Sequence, residues 1–345
     1  MKNVYFKDIS CDTNKSEIAK ILLKTVISKE EITLKGEVPI KVHFGEKGNI
    51  TFIKAEDYDG IIDYLQENNI STSFIETNVL YVGSRTIKER HIKTAEEHNF
   101  TRIPIIIADG EYGEDYNTIK INKEFFDEAL IGREFSNFDQ FIVCSHFKGH
   151  ILAGFGGAIK QLSMGFASRG GKLAMHSLSV PAINPKICTG CGICEEKCPS
   201  SAIEVRDLAV INNDKCIGCA ACISHCPEHS ISIDWNNNAN FLEKLAEYAY
   251  AAQRDKEVVY ITFVTNITDN CDCLGVAMEP VIKDIGMFAS TDPVALDKAC
   301  FDLVTKEKNT APDSNLWKYF DRGNNTLKHA EKIGLGATKY KIIKI

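Results

Sequence analysis

The sequence predicts an α/β fold, a mainly parallel sheet flanked by helices, interrupted by a small inserted α+β unit. Three observations lead there. Strand-like and helix-like segments alternate before residue 182 and again after residue 237, the pattern of a parallel sheet covered on its faces. Between them lies a cysteine-rich stretch that repeats itself with a period of 28 residues, Cys188 matching Cys216 and Ile203 matching Ile231. The chain has 345 residues, enough for one large domain and a small one. The expected units are 1–182 for the first part of the α/β domain, 183–236 for the insert and 237–345 for the second part.

In chain order, strands are expected at Val4–Asp8, Ile40–Phe44, Thr72–Glu76, Ile103–Ala108 and Phe141–Ser145. Helices are expected at Lys15–Ser28, Ala55–Glu67, Thr86–His98 and Lys123–Ile131. Ser16 three residues before Ala19 caps the first helix, and Ala19, Leu22, Leu23, Val26 and Ile27 give it an apolar face. Pro181 and Pro185 punctuate the entry to the insert, and Asn236-Asn237-Asn238 marks its exit. Inside it, Ala202–Val205 and Ile231–Asp234 should be short strands. Beyond it come a helix over Phe241–Arg254, a strand over Val258–Val264, a shorter strand over Ile285–Ala289 and a helix beginning near Pro293. Thr291-Asp292-Pro293 reads as an N-cap followed by proline in the first turn. Tyr340–Ile345 adds an edge strand.

Eight of the thirteen cysteines fall in two runs. Cys188, Cys191, Cys194 and Cys198 precede Pro199; Cys216, Cys219, Cys222 and Cys226 precede Pro227. Each run reads C-x2-C-x2-C-x3-C-P, the spacing with which bacterial two-cluster ferredoxins hold iron–sulfur cubanes. Three thiolates wrap one cubane, and the fourth reaches across to the other. On that rule Cys188, Cys191, Cys194 and Cys226 hold one 4Fe–4S cluster, and Cys216, Cys219, Cys222 and Cys198 hold the second. Gly190, Gly192 and Gly218 let the loops approach the sulfides. Paired zinc sites or disulfides explain neither the prolines nor the offset fourth cysteine. The insert is thus expected to be an α+β two-cluster ferredoxin domain.

Composition narrows the classes. Hydrophobic residues make up 44% and charged residues 25%, as in ordinary soluble proteins. A net charge of −7 and a pI near 5.8 argue against nucleic acid as a partner. Apolar runs such as Val258–Val264 are strand-length, so no membrane span is expected. Met1–Phe6 lacks the apolar core of a secretory signal. Free cysteines with oxygen-labile clusters fit a reducing cytoplasm and an anaerobic cell.

Motifs outside the insert carry a family resemblance. Lys41-Val42-His43-Phe44-Gly45-Glu46, Gly83-Ser84-Arg85, Ala108-Asp109-Gly110 and Ser145-His146-Phe147-Lys148-Gly149-His150 are four of them. Gly154-Phe155-Gly156-Gly157-Ala158-Ile159-Lys160, Met164-Gly165, Cys271-Asp272-Cys273 and Asp292-Pro293-Val294-Ala295 complete the set. Over essentially its whole length the chain resembles the uncharacterised iron–sulfur centre proteins of domain-of-unknown-function family 362. A weaker similarity is to nickel-pincer lactate racemases, in which a histidine precedes a glycine-rich turn and a pincer-bearing lysine, and a later histidine ligates nickel. His150, Lys160 and His176 are spaced in that way. The sequence departs from racemases in having Arg90-His91-Ile92 where an Asp-His-Thr motif would stand, and in carrying the cysteine insert.

The candidate site follows. His146, Lys148 and His150 leave the strand Phe141–Ser145 at its carboxyl end, where open α/β sheets bind ligands. They offer donors to an anion or imidazoles to a metal. Gly154, Gly156 and Gly157 precede a helix and can cradle an anion on backbone N–H groups, with Lys160 adding charge or acting as nucleophile or acid–base. The resemblance adds His176 to this group. His43 and Glu46 form a metal-ligating or proton-transferring pair, or a plain cap. Arg85 binds an anionic group or forms an ordinary ion pair. Cys271 and Cys273 supply soft metal ligands, a thiolate nucleophile or core packing, their side chains diverging too far for a disulfide. Cys11, Cys144 and Cys300 are structural.

The expected function is an iron–sulfur redox protein, carrying low-potential electrons to a substrate or cofactor among Lys160, His146, His150 and His176. Its partners would be a redox protein and a small anionic substrate. The second cofactor is a further metal, a flavin or a pincer-type nucleotide, and no sequence feature chooses among them; no GxGxxG–acidic pair marks a nicotinamide site, and without a Walker loop ATP-driven electron transfer is not expected. The alternatives are a non-catalytic electron carrier or maturation factor, and a racemase-like metal or pincer-cofactor enzyme.

Overall fold

The computed structural model describes residues 1–9, 14–81, 83–176, 180–216, 218–233 and 239–345. An eight-stranded sheet runs through them. Its strands are β1 (Lys2–Asp8), β2 (Ile40–Lys41), β3 (Phe74–Glu76), β4 (Ile105–Ile107), β5 (Gln140–His146), β6 (Glu257–Val264), β7 (Gly286–Ser290) and β8 (Tyr340–Lys344). They lie in the order β8-β1-β7-β6-β5-β2-β3-β4, and within this sheet only β7 opposes its neighbours. The mainly parallel α/β class is therefore observed.

Both faces are covered. Along β5, Phe141 and Val143 enter one core while Ile142 and Cys144 enter the other; β6 alternates in the same way, Val258 and Tyr260 against Val259 and Ile261. Successive strand side chains point to opposite faces, which is why both strands read as unbroken apolar runs. Helices α1 (Lys15–Lys29), α2 (Asp59–Glu67) and α3 (Lys88–Glu97) close the face holding Ile142, through Leu22, Ile62 and Ala95. The other face carries α4 (Ala158–Phe166), α5 (Arg169–His176), α6 (Phe241–Gln253), α7 (Pro293–Lys306) and α8 (Gly323–Lys332). Cys144 and Cys300 are buried in these two cores.

From the middle of the sheet, β2, β3 and β4 step outward one way, whereas β5, β6 and β7 step the other. At such a reversal the carboxyl ends of adjacent strands leave a crevice. Here it falls between β2 and β5.

The cysteine-rich segment builds its own small elements. Ala182–Ile183 pairs with Ile231–Ser232, and Ile203–Val205 pairs with Ala209–Ile211, around short helices at Ile193–Glu196 and Ala221–His225. Cys194, Ile203, Cys222, Cys226 and Ile231 share a core with Leu80 and Leu173 of the α/β part. The expected end of a strand at Asp234, the Asn236–Asn238 exit and Cys11 lie outside the described residues.

Three local expectations are corrected. Residues 123–131 are not a helix: Glu128–Gly132 is a strand paired with Tyr116–Lys120. The buried Glu247 carboxylate on α6 accepts the N–H groups of Glu124, Phe125 and Phe126, which fixes that stretch as a turn. The cap of α1 is Asn14, whose side chain accepts from Ser16 N, while Ser16 Oγ is taken by the N–H of Gly60. The strand expected over Ile40–Phe44 ends at Lys41, and His43 and Phe44 follow it as loop.

Candidate functional site

Four motif cysteines line each of two small hollows. Cys188, Cys191, Cys194 and Cys226 surround one. Cys198, Cys216, Cys219 and Cys222 surround the other. In the first loop, Gly190 has φ +65°, and a Cβ there would stand 2.4 Å from the Asp207 carbonyl oxygen. Backbone N–H groups point at sulfur: Ala202 N donates to Cys198 Sγ at 3.2 Å and Ser230 N to Cys226 Sγ at 3.3 Å. Burial, followed by the neighbouring cysteines, pushes the Cys222 thiol up to about 12. Burial raises Cys194 and Cys219 as well, whereas the N–H groups of Ala209 and Gly190 hold the Cys188 thiol below its ordinary value. Among the described residues no three His, Cys, Asp or Glu side chains converge on a single-ion site.

The second hollow lies against α5. A Cβ on Gly170 would stand 3.3 Å from Cys219 Cα, and Leu173 packs into the core that holds Cys222. The same helix supplies Lys172 and His176 to a cleft of about 490 Å3 at the carboxyl ends of β2, β3, β5 and β6. Leu80, in that shared core, also lines the cleft. Of the residues expected from sequence, His43, Arg85, His146, Lys148, His150, Gly156, Gly157, Lys160 and His176 line the cleft. Glu46 and Gly154 do not.

Asp272, 1% exposed, is the hub of the charged wall. Its Oδ2 accepts from Lys148 Nζ at 2.6 Å and lies 2.8 Å from His146 Nδ1, while His146 Nε2 donates to the Thr265 carbonyl at 2.7 Å. Burial alone would raise the Asp272 pKa, but His146 and Lys148 bring it well below the usual carboxylate range. Among the described residues its Oδ1 has no hydrogen-bond partner.

His43 and Glu46 are not a pair. His43 Nδ1 accepts from Gly45 N at 3.1 Å, and burial followed by Arg85 keeps the ring neutral, with its proton on Nε2. Glu46 instead binds Arg85 Nε at 3.2 Å and accepts from Ser84 N at 2.7 Å, so Arg85 is committed to an internal ion pair. His150 Nδ1 accepts from Leu152 N and Ala153 N, and burial with Lys160 nearby lowers its pKa far below the ordinary value. His176 stacks on Phe241 at 4.7 Å, and burial, then Lys160, takes it down to about 3.

The glycine-rich turn holds no free anion cradle. The first amides of α4 donate to Asp297 of α7: Ala158 N to Oδ1 at 2.7 Å and Ile159 N to Oδ2 at 2.9 Å. A Cβ on Gly157 would strike that carboxylate at 2.4 Å, and one on Gly154, at φ +82°, would meet Gly323 N at 2.5 Å. Two of these glycines therefore serve close packing, and a protein carboxylate occupies the place expected for a ligand anion. Burial pushes Asp297 up to about 7, against the two amides. The folded state then holds this proton more tightly than the unfolded chain, so the stability tied to it is complete below about pH 4 and lost as pH rises through about 7. Asp297→Asn keeps an acceptor for the turn and should flatten the fall in unfolding free energy between about pH 5 and pH 8. Urea melts of both proteins at the two pH values check this, and an unchanged slope would contradict it.

Lys160 and Lys172 complete the wall. Lys160 Nζ approaches Cys271 Sγ at 3.9 Å, and Lys172 Nζ donates to Thr77 Oγ1 and the Ala167 carbonyl, both at 2.6 Å. Among the described residues neither forms an ion pair with a carboxylate. Burial brings Lys172 down to about 8. The segment after β6 is a turn, Leu274 N donating to the Cys271 carbonyl at 3.0 Å, and both Cys271 and Cys273 line the cleft.

A family described as a domain of unknown function, DUF362, matches residues 38–302. The chain belongs to the DUF362 family. No curated protein matches it. Among solved structures, the lactate racemase apoprotein of Thermoanaerobacterium thermosaccharolyticum is similar over 89% of this chain and 57% of its own, at 14% identity and a TM-score of 0.45. A Thermotoga maritima protein solved by structural genomics is similar over 85% of this chain and 58% of its own, at 13% identity and a TM-score of 0.42. This DUF362 chain thus spans less than two thirds of either structure. Among the described residues no helix is long and apolar enough to cross a membrane.

Asp272, Lys172 and Asp297 were not singled out from sequence. Asp272 had a signal, its place between two flagged cysteines. Lys172 follows Gly170-Gly171, a weak hint of a crowded helix start. Asp297 had none, because its partners are Ala158 and Ile159, far away in sequence.

Proposed function

We propose that this DUF362 protein is an iron–sulfur redox protein whose two 4Fe–4S clusters serve a cleft that takes a small anion. One observation supports this most. The eight cysteines divide between two hollows in the crossed pattern of two-cluster ferredoxins, and the second hollow abuts the helix that carries Lys172 and His176 into the cleft. Cys188, Cys191, Cys194 and Cys226 would hold one cluster; Cys198, Cys216, Cys219 and Cys222 would hold the other. Bound there, the clusters supply single electrons at low potential. The N–H groups of Ala202 and Ser230 offset thiolate charge at Cys198 and Cys226.

In the cleft, Lys160 and Lys172 are cations without carboxylate partners, and His43 and His150 are neutral rings with Nε2 left as the donor nitrogen. That set favours a small anion, held by charge and oriented by N–H donors. An external redox protein would load and unload the clusters through the insert, where Cys191 is exposed.

Reductive titration of anaerobically purified protein tests the proposal. Uptake of about two electrons per chain is expected, unchanged by Lys172→Met or His176→Ala. Reoxidation by the anion that co-purifies, identified by mass spectrometry, should be lost in both variants. Electron uptake near zero would overturn the proposal. Reoxidation indifferent to both variants would leave a carrier without a working cleft.

A further inference from the structure

We propose that Cys271 is a nucleophilic thiolate in the cleft, and that its target is a small carboxylate with an electrophilic carbon, seated on Lys160 and Lys172. The proposal shares the anion-binding cleft with the function argued above but needs no cluster.

The geometry is a cluster of groups, not a lone cysteine. Cys271 lines the cleft at 6% exposure. Lys160 Nζ lies 3.9 Å from its sulfur, and the Cys271–Leu274 turn sets Cys273 in the lining of the same cleft. Asp272, between them, turns its carboxylate to His146 and Lys148, so the one acidic group of the turn is neutralised elsewhere. The chemistry agrees with this placement. The hydrogen bond from Cys273 first, and Lys160 and Lys148 after it, outweigh burial and hold the Cys271 pKa well below that of an ordinary thiol. Cys273, as donor, is raised. Thiolates beside a lysine and a second donor are the reactive ones; buried apolar cysteines such as Cys300 are inert.

Two lysines of the cleft lining, Lys160 beside the sulfur and Lys172, also set the substrate class. Lys172 is hydrogen-bonded to Thr77 and Ala167 and not to a carboxylate, so it can donate to a ligand carboxylate without breaking a contact ion pair. Attack then forms one S–C bond. The electron pair of the attacked C=O bond moves to oxygen, which takes a proton from the Lys160 ammonium. No oxidant or reductant is consumed.

Iodoacetate against iodoacetamide is the test, on cluster-loaded, anaerobically purified protein with the labelled residue identified by peptide mass spectrometry. Here the S–C bond forms as the C–I bond breaks and iodide leaves with its electron pair. The two reagents differ by a carboxylate. Cys271 should be labelled first, and by iodoacetate roughly tenfold faster than by iodoacetamide, about the worth of one charge-assisted contact. Lys172→Met should remove that preference while leaving iodoacetamide labelling in place. Cys273→Ala should slow both reagents and Cys273→Ser should restore them. Failure of wild-type Cys271 to react ahead of Cys273, or a faster reaction with the neutral reagent, overturns the proposal without reference to any variant. Iron measured in the same samples separates this from the redox proposal: labelling as described in protein without iron supports the nucleophile and counts against the clusters.

Discussion

Replacing Cys222 by alanine will remove one iron–sulfur site and leave the other, so that iron falls from about eight to about four per chain. The crossed partition makes the expectation sharper. Cys198 stands ten residues from Cys188 in sequence but lines the hollow of Cys216, Cys219 and Cys222. Cys198→Ala should therefore match Cys222→Ala, and Cys226→Ala should match Cys188→Ala. A double replacement within one hollow, Cys198 and Cys222, should lose no more iron than either single. A double across hollows, Cys198 and Cys226, should lose nearly all of it. Cys222 is buried in the core with Ile203 and Leu173, so the loss should also lower stability, because metal binding in such small units contributes directly to folding. Iron analysis and thermal melts of the four singles and two doubles check this. Pairing by sequence run, with Cys198 behaving like Cys188, would contradict it.

Replacing Asp272 by asparagine should destabilise the protein by about 3–5 kcal/mol, the range for leaving a buried charge without its partner. Lys148 and His146 both meet Asp272 Oδ2, with all three side chains nearly inaccessible. Asparagine keeps the shape but removes the anion. Adding Lys148→Met should recover part of the loss, since the unpaired ammonium is then gone, and a double-mutant cycle measures how much. Because the Asp272 pKa is depressed, its contribution is present above about pH 4 and lost as pH falls further. A loss under about 1 kcal/mol in urea melts at neutral pH, the size of an exposed pair, would show that the hub is not holding the cleft wall.

Much of this architecture was legible because its causes are local. The strand β6 and the helix α7 announce themselves by an apolar run and by Asp292-Pro293, and Asp292 Oδ1 does accept from Val294 N and Ala295 N. The carboxyl-end position of His146, Lys148 and His150 followed from one strand and a general rule about open sheets. What could not be read has distant causes. Phe125, Phe126, Ala129 and Leu130 fit a helical face, but Glu247 captures three amides of that stretch and Ala129 and Ile131 enter the core with the period of a strand. The glycine-rich turn offers amides in the expected place, yet Asp297 on another helix takes them. His43 and Glu46 are close in sequence and part in space because Arg85 and Ser84 claim the carboxylate.

Iron and acid-labile sulfide determined on oxygen-free protein bear most directly on the two-hollow arrangement. About eight irons and about eight sulfides per chain are expected, with the paired electron-spin signal of two adjacent reduced cubanes. Zinc in their place, or about four irons or fewer in protein with all eight cysteines intact, would contradict it.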